Sequence, residues 1–270
     1  MPAREGLAIV AIPLLVVAIV WLPAWVFLTV LAAAVLLAAD ELLTMARDSG
    51  HPVGRALPLA AVAVTMGVGW YEGGIAFLVA LGASVLVLPT AQLLHRARPA
   101  GALAGAAVAV LAVTYLGFTG ACLGWLRLLP GDAWGPRLIL FFLATIWVGD
   151  SAAYYVGRSF GRHKMAPSIS PNKTLEGLAG GVVVTFLGAA AAKAGLQLPL
   201  SWPDTLVIAA LLAAAAPIGD LLESQFKRDL GVKDSSSLLP GHGGFLDRTD
   251  SLLYAAPWVL GYLLLVGVLR

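Results

Sequence analysis

Of 270 residues, 60% are hydrophobic and only 12% are charged, about half the charge of an ordinary soluble domain. A water-soluble globule of this composition would expose large apolar patches and associate, a disordered chain would carry far less apolar surface, and 30 Gly with 16 Pro follow no collagen triplet. A net charge of +2 gives no footprint for nucleic acid and one cysteine allows no internal disulfide, which leaves a polytopic membrane protein.

A helix crosses the bilayer core with about 20 apolar residues, and the apolar runs here lack the alternation of a membrane barrel. Hydropathy predicts an all-α bundle of about nine transmembrane helices, over roughly 7–22, 24–44, 56–71, 74–94, 102–126, 138–157, 175–194, 205–222 and 251–269. The breaks have local causes. Pro23 splits the first run between Trp21 and Trp25, Gly50 and Pro52 punctuate a polar turn from Arg47 to Arg55, and Glu72-Gly73-Gly74 makes a tight corner. The apolar run to Ala39 is too long for the h-region of a cleaved signal peptide. With nine spans, Arg127, Arg137, Lys193 and Arg270 fall on one side and the other 13 of 17 Lys and Arg on the side of the N-terminus. By the positive-inside rule the N-terminus is cytoplasmic, in a cell (inner) membrane. No repeat or linker divides the chain, so 1–270 is expected to be a single polytopic domain, with 1–149 mainly hydrophobic scaffold.

The polar chemistry gathers in 150–250, which holds 9 of the 15 acidic residues. Two cytoplasmic loops dominate, about 158–174 and 223–250. In the first, Ser170 is placed to cap the next helix, with Pro171 in its first turn. Lys173 and Thr174 beside that helix start suit a phosphate. Gly157-Arg158-Ser159-Phe160-Gly161 matches the Gly-x-Ser-x-Gly of a hydrolase elbow, but that turn needs a preceding strand, and here a membrane helix precedes it.

In the second stretch Asp220, Glu223, Ser224 and Lys227 share one helix face, and Asp247 and Asp250 are spaced i, i+3 at the start of the last helix. Asp150 stands at the cytoplasmic end of the sixth helix, with Tyr154 and Arg158 continuing its face. Acids converging from several helices repel one another unless a cation sits among them, and oxygen ligands point to magnesium. The four His, at 51, 95, 163 and 242, are too scattered for zinc. An ion-coupled transporter is the rival reading, but it needs acids near mid-span, and these cluster at one surface.

Ser224 to Asp250 resembles the signature of the phosphatidate cytidylyltransferases, or CDP-diacylglycerol synthases: Ser-x-Phe-Lys-Arg, then Lys233-Asp234, then Pro240-Gly-His-Gly-Gly-Phe-x-Asp-Arg-x-Asp250. The Asp150 to Gly161 and Ser170 to Gly177 segments are similar to the family as well, with Asn172 departing where members often carry Lys. The resemblance implies a membrane enzyme that joins CTP and phosphatidic acid into CDP-diacylglycerol and pyrophosphate, or a relative acting on another lipid phosphate. It implies a divalent cation, usually magnesium, with a monovalent cation such as potassium also implicated. It assigns the metal to Asp220 and Asp247, with Asp250 and Asp150 contributing, and catalysis to Asp220, Asp247, Lys227 and Arg248. Substrate phosphate and nucleotide fall to Arg158, Ser170, Lys173, Thr174, Ser224, Arg228, Lys233, His242, Gly243 and Gly244. A homodimer is among the assemblies it allows.

Overall fold

A computed structural model describes residues 13–95, 100–129, 131–238 and 243–268. After a helical stretch over 13–20, the helices are α1 (Ala24–Asp48), α2 (Ala56–Tyr71), α3 (Gly74–His95), α4 (Ala102–Leu111), a π-helical turn (Ala112–Gly117), α5 (Phe118–Leu128) and α6 (Gly131–Phe160). A hairpin of β1 (Lys164–Ala166) and β2 (Ser170–Thr174) follows, then α7 (Leu175–Leu196), α8 (Trp202–Asp229) and α9 (Leu246–Leu265). The chain is a helical, polytopic membrane protein. Among the described residues, six helical runs are long and apolar enough to cross a bilayer: Ala24–Asp48, Gly74–Leu94, Ala102–Leu128, Trp134–Phe160, Leu175–Leu196 and Trp202–Asp229. Ala56–Tyr71 is a shorter apolar helix.

The expected breaks fall where local chemistry puts them. Gly73 and Gly74 both take left-handed backbone (φ 62° and 46°) between α2 and α3, a conformation that costs a glycine little. Several helices outrun their apolar stretch. The 28 residues of α8 reach about 42 Å at the ordinary helical rise, against a hydrocarbon core of about 30 Å, so a polar end can stand clear of lipid. The run over 102–128 is not uniformly α-helical, since its centre winds as the π-helical turn.

The chain forms two compact units, each drawn from separated stretches. The first comprises 25–125 and 226–249. Its α1 buries Leu31, Val35, Ala38, Leu42 and Ala46 at helical spacing, and Val62, Met66, Val113 and Leu116 are buried as well. The second comprises 126–225 and 250–268 with the short stretch before residue 25. Phe141, Phe142, Ile208, Leu212, Ala256 and Val259 belong to its core. There α6 and α7 approach backbone to backbone: a Cβ on Gly177 would lie 2.7 Å from the Ala153 carbonyl oxygen, and one on Gly149 would lie 2.2 Å from Thr185 Oγ1. Small residues at such a seam let membrane helices pack without a hydrophobic driving force between them.

Candidate active site

The second unit brings together residues from three helices and the hairpin. Asp150 stands on α6, Lys173 on β2, Asp220 on α8 and Asp250 near the start of α9, just past its first turn. The Lys173 ammonium lies 2.6 Å from Asp220 Oδ2, with both side chains partly exposed. Ser224 Oγ donates to Asp220 Oδ1 at 3.3 Å, one helical turn along. Asp150 and Asp250 both feel the charges of Asp220 and Lys173. Gly219 explains how α8 and α9 come so close, since a Cβ there would lie 2.6 Å from Tyr254 Cβ and 2.8 Å from the Asp250 carbonyl oxygen. Asp150 also lines a cleft of about 290 Å³ with Gly149, Ala153, Thr185, Leu212 and Pro217.

The hairpin is what aims Lys173. Lys164 pairs with Thr174 across it, and Glu176 pins its base by accepting from the Arg162 N–H (3.0 Å) and the His163 N–H (3.2 Å), with His163 Nδ1 at 2.6 Å. Thr174, not Ser170, caps α7: its Oγ1 accepts from the Gly177 N–H at 3.2 Å. The expectation that Ser170 caps and Pro171 begins the helix is thus corrected. Both lie in β2, because extended pairing with β1 carries the chain four residues further before it turns helical. The cap is sealed by glycines, since a Cβ on Gly161 would sit 2.7 Å from Thr174 Oγ1 and one on Gly157 3.1 Å from it. Gly157 and Gly161 of the first loop therefore make room for a capping hydroxyl. Arg158 is exposed and donates to Tyr154 Oη at 3.2 Å.

The first unit holds a different polar centre. Lys227, near the end of α8, pairs with Asp247 Oδ1, and both side chains are buried. The other oxygen, Asp247 Oδ2, accepts from the Ser235 N–H (3.0 Å), Ser235 Oγ (2.8 Å) and the Gly244 N–H (2.8 Å). Gly231, with φ at 74°, ends α8, and the Val232 N–H returns to the Lys227 carbonyl at 2.9 Å, a Schellman-type stop. Arg228 is exposed and donates to the Val232 carbonyl. Lys233 and Arg248 are also exposed. Gly243 and Gly244 do permit close approach, and in this structure the groups that approach are side-chain oxygens: a Cβ on Gly243 would lie 2.5 Å from Asp247 Oδ2, and one on Gly244 2.1 Å from Ser235 Oγ and 2.3 Å from Glu41 Oε2. His242 lies outside the described residues.

Glu41 is the residue that sequence reasoning missed. It stands on α1, is 4% exposed, and accepts from Ser235 Oγ, Ser236 Oγ and the Phe245 and Leu246 N–H groups at 2.6–3.0 Å. The signal was available: an acid within an apolar span is a functional candidate by default. Its neighbour Asp40 instead takes a partly exposed bidentate pair with Arg55.

The sequence profile of the cytidylyltransferase family matches residues 3–266, nearly the whole chain. The chain belongs to the cytidylyltransferase family. Among similar proteins is a phosphatidate cytidylyltransferase of Bacillus subtilis, 45% identical over 128 residues, which are 47% of this chain and 48% of the relative. The enzyme of that name from Staphylococcus epidermidis is 40% identical over 152 residues, 56% of either chain. The one from Brucella suis is 44% identical over 142 residues, 53% of this chain and 52% of the relative. The chain thus spans about half the length of the curated relatives it matches.

Among the described residues, no three His, Cys, Asp or Glu side chains lie close enough to cage a metal ion by themselves. Magnesium does not require such a cage, since it is usually held by one or two carboxylates and completed by substrate phosphates and water. Asp220, which already attracts the Lys173 ammonium and whose charge is felt by Asp150 and Asp250, has the oxygen chemistry for it.

Proposed function

We propose that this cytidylyltransferase-family chain acts on CTP and phosphatidic acid and makes CDP-diacylglycerol and pyrophosphate. The observation that carries the reading is the 2.6 Å ion pair of Lys173 with Asp220, whose charges are felt by Asp150 and Asp250 of the same unit. That is an arrangement for phosphate and a hard cation, in a chain whose relatives bear the corresponding name. In the reaction an oxygen of the lipid phosphate bonds to the α-phosphorus of CTP. The bond from that phosphorus to the β-bridging oxygen breaks, and pyrophosphate leaves with the electron pair. A phosphate monoester has its second pKa near 6, so the nucleophile is already charged at neutral pH and no strong general base is needed. Lys173 of the second unit supplies positive charge for the phosphates; in the first unit Lys227 carries its charge beside Asp247, and arginines such as Arg228 and Arg248 are of the type that suits bidentate phosphate contact. A magnesium ion held by Asp220 with Asp150 or Asp250 would supply Lewis acidity to the CTP phosphates. Asp247, with Lys227 bound to one oxygen and three donors on the other, holds the signature loop.

The test is direct. Purified protein given labelled CTP, phosphatidic acid and magnesium, with and without potassium, is expected to release CDP-lipid and pyrophosphate. No product from folded protein on any lipid phosphate sinks the reading, and product from a different lipid phosphate only changes the substrate. The mass of the same preparation by light scattering reports whether it is a homodimer.

We place the working face in the cytoplasm, on the charge asymmetry of the loops. Cys122 is the sole cysteine and is buried, so introduced cysteines report topology cleanly. Lys164→Cys and Lys233→Cys are expected to react with an impermeant maleimide only from the cytoplasmic side, and Glu72→Cys only from the other. Lys164→Cys and Glu72→Cys reacting from one side would overturn the orientation.

A further inference from the structure

We infer that Glu41 is a positioning residue of the transfer reaction, setting the turn that presents Asp247 and Lys227. The inference rests on the proposed function. Glu41 belongs to the apolar helix α1 and has no counterpart in the signature stretch, yet its carboxylate is saturated by it. Oε1 takes Ser236 Oγ at 2.6 Å and the Phe245 N–H at 3.0 Å, while Oε2 takes Ser235 Oγ at 2.9 Å and the Leu246 N–H at 2.8 Å. A carboxylate offers about four lone-pair sites, and all four donors lie about 200 residues away in sequence.

Two of those donors are N–H groups at the start of α9, where a negative charge is favoured by the helix dipole. The Ser235 hydroxyl lies between two acids, 2.9 Å from Glu41 Oε2 and 2.8 Å from Asp247 Oδ2. It has one proton to give, so the two carboxylates share it. Gly244 completes the link: its N–H donates to Asp247 Oδ2, and Ser235 Oγ and Glu41 together fill the space its Cβ would take. A shift of Glu41 therefore moves the groups that orient Asp247, and through Asp247 the ammonium of Lys227. Asp40 on the same helix offers the same charge one residue away and has none of these links, only its pair with Arg55.

The experiment uses the full chain in nanodiscs, measuring kcat, KM for CTP, thermal stability and amide hydrogen exchange. Glu41→Gln keeps the size but turns an NH₂ toward donors. It is expected to lower kcat about 10–100-fold, the usual cost of losing a group that orients an active-site ligand, with KM for CTP little changed. Exchange at Phe245 and Leu246 should rise. Ser236→Ala, which loosens the same grip without touching Asp247, should show smaller changes of the same sign, and Glu41→Asp should recover part of kcat. Asp40→Asn should retain wild-type kcat. Wild-type kcat in Glu41→Gln overturns the inference. So does a loss of activity explained wholly by lost folded protein, with the folded remainder turning over normally; in that case Ser236→Ala, milder in its effect on folding, would also turn over normally. Wild-type protein that makes no CDP-lipid refutes the proposed function instead. Unchanged exchange at Phe245 and Leu246 in Glu41→Gln would then overturn the positioning role on its own.

Discussion

Asp220→Asn is expected to reduce CDP-lipid formation at saturating substrate by about 10²–10³-fold, the scale on which a preorganised electrostatic group acts in a transition state, while the protein stays folded. The split between activity and stability follows from exposure. Asp220 and Lys173 are 40% and 26% exposed in their side chains, and a partly solvated pair contributes no more than about 1 kcal/mol to folding. Asn retains an oxygen to accept from Ser224 Oγ, so local packing is little disturbed. What disappears is the negative charge that restrains Lys173 and would hold a metal with Asp150 or Asp250. Steady-state kinetics beside a melting curve in detergent decide it. Near-normal turnover would remove Asp220 from the chemistry, and a large fall in melting temperature would mean that the pair is structural after all.

Asp247→Asn differs in kind, because its surroundings are dry. The Asp247 and Lys227 side chains are only 6% and 10% exposed. Removing one partner of a buried pair strands the other charge, at a cost of about 3–5 kcal/mol. The amide also has a single acceptor oxygen for positions that now receive Lys227 on one side and Ser235 and Gly244 on the other. Both stability and turnover are therefore expected to fall. Adding Lys227→Met should return most of the stability by removing the stranded charge, without returning activity. Activity restored in the double variant would reduce the pair to a structural role. Undiminished stability in the single variant would contradict the buried pairing itself.

Several features were legible because their causes are local. Gly73-Gly74, Pro52 and the apolar runs mark where helices stop and start within a few residues of the observed ends. Two of the ends that moved have partners far along the chain. The last helix was expected from 251 and begins at Leu246, since Glu41 accepts the N–H groups of Phe245 and Leu246 that would otherwise lack partners. α8 was expected to end near 222 and continues to Asp229. Its two added turns carry Lys227, whose charge is met inside the fold by Asp247. Ser170 reads as a helix cap by residue type, but a β-pairing that only the hairpin reveals hands that task to Thr174.

The amino-acid sequence by itself determined the membrane class, the positions of the main breaks and the family, because hydropathy, turn chemistry and a dense motif all act over short stretches. Tertiary structure alone decided which of the acids meet. Lys173 finds Asp220, and Glu41 finds Ser235, Ser236 and the start of the last helix. The reason is physical: a buried charge must be satisfied by whichever donors packing delivers to it, and packing is set by the whole chain rather than by its neighbours in sequence.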